Sequence, residues 1–192
     1  MLTGLFIGRF QPLHYGHIET IKSVLKTVAF LIIIVGSAQN SHELRNPFTA
    51  GERIQMIRNT LIKIKEIDIS KILIIPVSDT KVHALWTYNI DLLVPKYDLV
   101  FTNDPFTIVL YKERGIKTIQ PELHHRKKFS GTLIRDYMIK DEDWKQLVHP
   151  ETAKIIQDIN GIDRLKKSGK NIINYLMSLN FSIIMGLGYN YL

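Results

Sequence analysis

Two histidines three positions apart, His14 and His17, stand in the run Gly8-Arg9-Phe10-Gln11-Pro12-Leu13-His14-Tyr15-Gly16-His17. The run links an apolar segment of strand character to one of helical period. A glycine at a strand end lets a ligand approach the backbone, and the free N–H groups at a helix start favour phosphate. Gly16 removes a side chain that would otherwise fill the space between the imidazoles, so both rings can converge on one anion. Two other uses are open to such a pair. A metal site would lack a third ligand at matching spacing and would suffer repulsion from Arg9. Ordinary loop histidines are the other alternative.

A second anion site is encoded in Phe129-Ser130-Gly131-Thr132-Leu133-Ile134-Arg135. Ser130 suits an N-cap, and helical side chains lean toward the N-terminus, so Arg135 can fold back over the amides of Gly131 and Thr132. The bland alternative is a capped helix with a surface arginine. A third polar stretch runs from Gly36-Ser37-Ala38-Gln39 to Arg45-Asn46-Pro47-Phe48-Thr49-Ala50-Gly51-Glu52-Arg53. Two arginines near a helix start suit the phosphate of a second nucleotide. Arg53 is equally open to a structural ion pair. Trp86 lies near the start of a further expected helix, where its indole can stack on a pyridine ring or simply fill the core.

Together these strings resemble one family. GRFQPLHYGH is similar to the HxGH motif of the nucleotidyltransferase superfamily, and GRFQP in particular resembles the archaeal-type nicotinamide mononucleotide adenylyltransferases. The resemblance implies that His14 and His17 contact ATP phosphates and stabilise the transition state, with Gly8, Arg9 and Phe10 alongside. It also implies that Ser130, Gly131, Thr132 and Arg135 hold the β- and γ-phosphates, since FSGTLIR is similar to the (I/Y)S(S/G)TxxR motif. GSAQ and NPFTAGER resemble the strings that line the mononucleotide side. Ser37 and Gln39 then belong to that side, Arg45 binds the acceptor phosphate, Arg53 orders the site, and Trp86 stacks on the ring. His83 departs from the pattern, standing where the family has an asparagine for the carboxamide. Thr102-Asn103-Asp104-Pro105 matches the family's SGNP only loosely.

The same resemblance implies direct in-line transfer of AMP from ATP to nicotinamide mononucleotide, giving NAD and pyrophosphate without a covalent enzyme intermediate. His14, His17 and Arg135 are the expected catalytic residues, and Mg²⁺ is expected with ATP, bridging the leaving pyrophosphate. Rival HxGH enzymes acting on pantetheine phosphate, FMN or cytidylyl groups fit less well, because of Trp86 and the GSAQ and NPFTAGER strings. A non-catalytic nucleotide or nucleic-acid binding module is the alternative from another class. The family also implies a homo-oligomer.

To place these loops on one ligand, the chain needs an α/β fold, a Rossmann-like open parallel sheet with helices on both faces. Short β-branched runs alternate with helical periods, giving strands over Leu2 to Gly8, Ala29 to Gly36, Lys71 to Val77, Tyr97 to Thr102 and Ile116 to Ile119. Helices are expected from Thr49, with Glu52 completing a capping box and Ile54, Ile57, Leu61 and Ile64 as the apolar face. Others are expected over Ala84 to Leu93, Pro105 to Arg114, Thr132 to Ile139 and Glu151 to Asn160. A nucleotidyltransferase domain over residues 1–168 is expected, followed by an uncharged apolar extension over 169–192.

With 25 Lys and Arg against 18 Asp and Glu, the formal net charge of +7 favours an anionic partner. The densest basic run is only Arg126, Lys127 and Lys128, so a small phosphorylated substrate fits better than nucleic acid. The absence of cysteine excludes disulfides, thiolate catalysis and Cys-based zinc sites, and agrees with a cytoplasmic location. No signal peptide is seen, and asparagines and serines interrupt the tail too often for a membrane span.

Overall fold

Runs such as Phe30-Leu31-Ile32-Ile33-Ile34-Val35 are apolar at every position because alternate side chains enter two different cores, one on each face of a parallel sheet. The computed structural model describes residues 1–122 and 129–169. The sheet contains β1 (Thr3–Gly8), β2 (Phe30–Val35), β3 (Ile72–Pro76), β4 (Leu99–Phe101) and β5 (Thr118–Ile119), all parallel, in the order β3-β2-β1-β4-β5. Thr3 pairs with Phe30 and Gly8 with Val35 across β1 and β2, while Leu5 pairs with Val100 of β4.

Phe6, Leu31, Ile33, Val35 and Phe101 face one core, closed by α1 (Tyr15–Leu25), α2 (Ala50–Ile62), α5 (Gly131–Lys140) and α6 (Pro150–Asp158). Leu5, Ile32, Ile34 and Val100 face the other, closed by α3 (Trp86–Asp91) and α4 (Pro105–Glu113). The expected fold class, with helices on both faces, is thus the observed one. A last helix, α7, covers residues 161–169 and buries Leu165 in the first core.

The capping box at α2 is present, with Thr49 N–H donating to Glu52 at 2.9 Å and Glu52 N–H to Thr49 Oγ1 at 3.2 Å. The expected apolar face of α2 packs on the first core, Ile57 and Leu61 buried and Ile54 and Ile64 half-buried, with Met56 and Thr60 also in the interior. Thr60 goes inside because its hydroxyl pairs with that of Thr152 on α6 at 2.9 Å. The expected helix from Ala84 begins as a 3-10 turn, His83–Leu85, before α3. Strand β5 is shorter than expected, since Gly115 (φ 69°) ends α4 and the Ile116 N–H still bonds to Tyr111 at 3.0 Å.

The chain steps outward from β1 to β2 and β3 on one side, and to β4 and β5 on the other. Strand order therefore reverses between β1 and β4, where a crevice opens beyond the carboxyl ends. Among the described residues no helix is long and apolar enough to cross a membrane. The basic run Arg126 to Lys128 and the uncharged tail from Asn171 lie outside the described residues.

Candidate active site

A cavity of about 470 Å³ fills that crevice, and its lining draws on every loop at the carboxyl edge of the central strands. Gly8, Arg9, His14 and His17 come from the loop after β1 and the start of α1, and Ser130 and Gly131 from the start of α5. Ser37, Asp79, His83 and Trp86 come from beyond β2 and β3, and Thr102 to Asp104 from beyond β4.

His14 is the N-cap of α1 and forms a reciprocal box with His17. The His17 amide donates to His14 Nδ1 at 3.3 Å, and the His14 amide donates to His17 Nδ1 at 3.4 Å. An Nδ1 that accepts a hydrogen bond carries no proton, so each neutral ring is the Nε2–H tautomer. Burial drives the His14 pKa down to about 4. His17 is pushed well below the ordinary histidine range, by burial first and by its neighbour His14 second. The stacked rings, 3.7 Å apart, are therefore two uncharged donors that do not repel each other. Gly16 is needed for this packing, because a Cβ there would lie 3.1 Å from both His14 Nδ1 and Phe129 Cβ.

Across the cavity, the Ser130 hydroxyl caps α5 by accepting the Leu133 amide at 3.1 Å. Arg135 donates to Thr132 Oγ1 at 3.3 Å and to the Gln11 carbonyl at 2.7 Å, tying α5 to the β1–α1 loop. A Cβ at Gly131 would stand 2.9 Å from that same carbonyl, so only glycine allows the two segments to meet. The Arg135 guanidinium is held below its ordinary pKa by burial, then by repulsion from Arg9, with Asp136 opposing and Arg45 adding a smaller repulsion. Arg9, in the lining, and Arg135 bring cationic charge suited to a polyphosphate, with the carboxylates of Asp79 and Asp104 elsewhere in the lining.

Cytidylyltransferase-like is the family model that matches the chain, over residues 5–137, a span holding both helix starts of this site. Over 167 residues the chain is 45% identical to the nicotinamide-nucleotide adenylyltransferase of Archaeoglobus fulgidus, covering 86% of this chain and 96% of the relative. The enzyme of the same name from Saccharolobus solfataricus is 42% identical, with 87% and 96% covered. The chain belongs to this adenylyltransferase family. A solved bifunctional NMN adenylyltransferase/ADP ribose pyrophosphatase from Francisella tularensis superposes with a TM-score of 0.75 at 23% identity, over 93% of this chain and 55% of that one. At that identity the likeness is one of fold.

The chain brings Gly8, Arg9, His14, His17, Ser37, His83, Trp86, Ser130 and Gly131 to one cavity, while Phe10, Gln39, Arg45, Arg53, Thr132 and Arg135 stand outside its lining. Phe10, expected at ATP, has a ring only 1% exposed; it packs edge-on to Phe6 and lies 4.7 Å from His17, backing the imidazole instead of facing the ligand space. Arg53 is fully buried, stands outside the cavity lining and, among the described residues, forms no ion pair. Its guanidinium donates to the carbonyls of Arg9 (2.9 Å), Gly36 (2.7 Å), Ser37 (3.1 Å) and Thr49 (3.2 Å), gathering the ends of β1 and β2. Burial, then Arg9, lowers its pKa to about 10, with Asp79 and Glu52 opposing. Gln39 stands outside the cavity lining and bonds to Asp79 at 3.0 Å.

Trp86 packs in the second core at 9% exposure and also lines the cavity. His83 lines the cavity one turn before it, edge-on to the Phe106 ring at 4.7 Å. Arg45 is exposed and outside the lining, yet its charge acts on Arg135.

Two residues escape sequence reading. Asp79 lines the cavity and accepts from the Ser37 hydroxyl (3.2 Å) and Gln39 amide (3.0 Å), joining the loops after β2 and β3. Gln11, 4% exposed, clasps the Phe48 backbone through both ends of its amide, at 2.8 and 3.0 Å. The one signal for Gln11 is a polar side chain set among Phe10, Pro12 and Leu13. Among the described residues no group of three His, Cys, Asp or Glu side chains is placed to hold a metal ion.

Proposed function

We propose that the protein joins nicotinamide mononucleotide to ATP, releasing pyrophosphate and forming NAD by a single in-line displacement. The observation that carries the reading is the pair of Nε2–H donors at the start of α1, facing the start of α5 across one cavity. Two helix N-termini with the cations Arg9 and Arg135 offer an anion site for the triphosphate, and Arg45 is the cation for the acceptor phosphate. Mg²⁺ would accompany ATP and would neutralise charge on the departing phosphates beside Ser130 and Arg135.

A phosphomonoester has a second pKa of about 6 and is mostly dianionic at neutral pH, so the acceptor needs no general base. Its oxygen attacks the α-phosphorus, the bond to the bridging oxygen breaks, and that oxygen leaves with the electron pair as pyrophosphate. What the chain supplies is alignment and charge stabilisation. Neutral imidazoles donate to the phosphoryl oxygens, Arg135 and the Ser130–Thr132 amides hold the departing phosphates, and Trp86 offers a face to the cationic nicotinamide ring.

Pyrophosphate release from ATP, measured against the amide and acid mononucleotides, FMN and phosphopantetheine, tests the assignment. Turnover is expected with a pyridine mononucleotide. Preference for FMN or phosphopantetheine would move the chain to another transferase specificity, and affinity without pyrophosphate release would make it a binding module.

A further inference from the structure

The segment bearing Arg45 is fastened from the outside by a helix that takes no part in the cavity. Residues 43–46 form a tight turn, Glu43 N–H donating to Asn46 at 3.2 Å and Asn46 N–H to Glu43 at 3.1 Å, with Arg45 exposed at its tip. Helix α7 runs alongside. Gly161 starts it against the Phe48 ring, where a Cβ would stand 2.8 Å from Cε1. Ser168 near its end donates to the His42 carbonyl at 2.8 Å. Between them, Arg164 forks onto Glu52 (2.7 and 2.9 Å) and also donates to the Pro47 carbonyl at 3.2 Å.

Glu52 is at once the capping residue of α2 and the partner of Arg164. Burial alone would raise its pKa, but the Arg164 fork and the Thr49 donors hold it below the usual carboxylate range. Both flanks of the turn are thus pinned, at His42 on one side and at Pro47 on the other, while Gln11 grips Phe48 from within. A phosphate contact made by an exposed arginine depends on such fixing, because a loose loop pays the ordering entropy on binding.

We propose that Arg164 is a positioning residue for the acceptor phosphate, acting through Pro47 and Glu52 on the turn that carries Arg45; this rests on the reading of Arg45 as the acceptor-phosphate ligand. Losing Arg164 frees the turn but leaves the histidines and α5 in place, so the acceptor suffers and ATP does not.

The test is calorimetric titration of nicotinamide mononucleotide, with a non-reacting ATP analogue present, into wild type, Arg164→Met, Arg164→Lys, Arg45→Ala and the Arg45→Ala/Arg164→Met double variant. Arg164→Met is expected to weaken the mononucleotide about tenfold, the scale of one charge-assisted hydrogen bond, with affinity for the ATP analogue unchanged. Lysine, which cannot fork, recovers part of the loss and serves as the readout if methionine prevents folding. The double variant should bind no more weakly than Arg45→Ala alone. Equal mononucleotide affinity in a folded Arg164 variant, equal loss for both nucleotides, or additive losses would overturn the positioning role. Wild type that binds the ATP analogue but no mononucleotide would overturn the functional reading instead, and this inference with it.

Discussion

The two walls of the cavity are built to different standards. On the phosphate wall nearly every group is locked by the backbone: His14 and His17 cap each other's amides, Ser130 caps α5, and Arg135 and Gly131 meet the Gln11 carbonyl. On the proposed acceptor wall, Asp79 and His83 are exposed, and Trp86 is held by packing while its indole N–H has no hydrogen-bond partner among the described residues. Charge stabilisation needs donors fixed before the reaction begins, whereas choosing an acceptor ring needs a surface of the right chemistry. The difference implies that damage to the first wall is read in rate and damage to the second in affinity.

The largest expected effect breaks the phosphate wall. His17→Ala should fold normally yet lose about two to four decades of kcat, the scale for removing preorganised charge stabilisation. Unchanged turnover in the folded variant would take His17 out of the site.

Next comes the cost of keeping these imidazoles neutral, which sharpens the contrast because His83 on the other wall is exposed. Unfolded His14 binds a proton near pH 6.5, but folded His14 does so only near pH 4. Between those values the unfolded state holds more protons, so this stability is complete above pH 6.5 and drains away as pH falls toward 4, by about 3 kcal/mol in all. His14→Asn keeps a capping side chain without the titration, and its melting temperature should fall less than wild type's over that window. Parallel curves would show that His14 is not buried as a neutral base.

Smallest is the effect on the acceptor wall. Trp86→Ala should weaken the mononucleotide by about 1–3 kcal/mol, by analogy with base stacking, and barely alter ATP. Because the nicotinamide ring is cationic, Trp86→Phe should retain more affinity than Trp86→Leu. If leucine equals phenylalanine, Trp86 serves the ring as bulk alone.

Legibility in the sequence divides in the same way, between local and distant partners. Strand runs, the Thr49–Glu52 box and the Ser130 cap are local, each encoded within a few residues, and are readable. Gln11 is not, because its partner Phe48 lies 37 positions away, nor is Arg164, 112 positions from Glu52. Sequence reading offers Arg53 a phosphate, a part in ordering the site, or an ion pair. Its actual partners are main-chain carbonyls, which carry no side-chain identity to read. The site strings themselves are legible through resemblance, while the way they are fastened to one another requires coordinates.

In the proposed mechanism the two walls would hold donor and acceptor on opposite sides of one phosphorus, so that transfer would take a single step. The stereochemical course tests this most directly: one diastereomer of adenosine 5′-O-(1-thiotriphosphate) is supplied with the mononucleotide, and the configuration at phosphorus in the dinucleotide product is determined. A single in-line displacement between the walls predicts inversion, and retention would reveal a covalent intermediate on a protein side chain, contradicting single-step transfer.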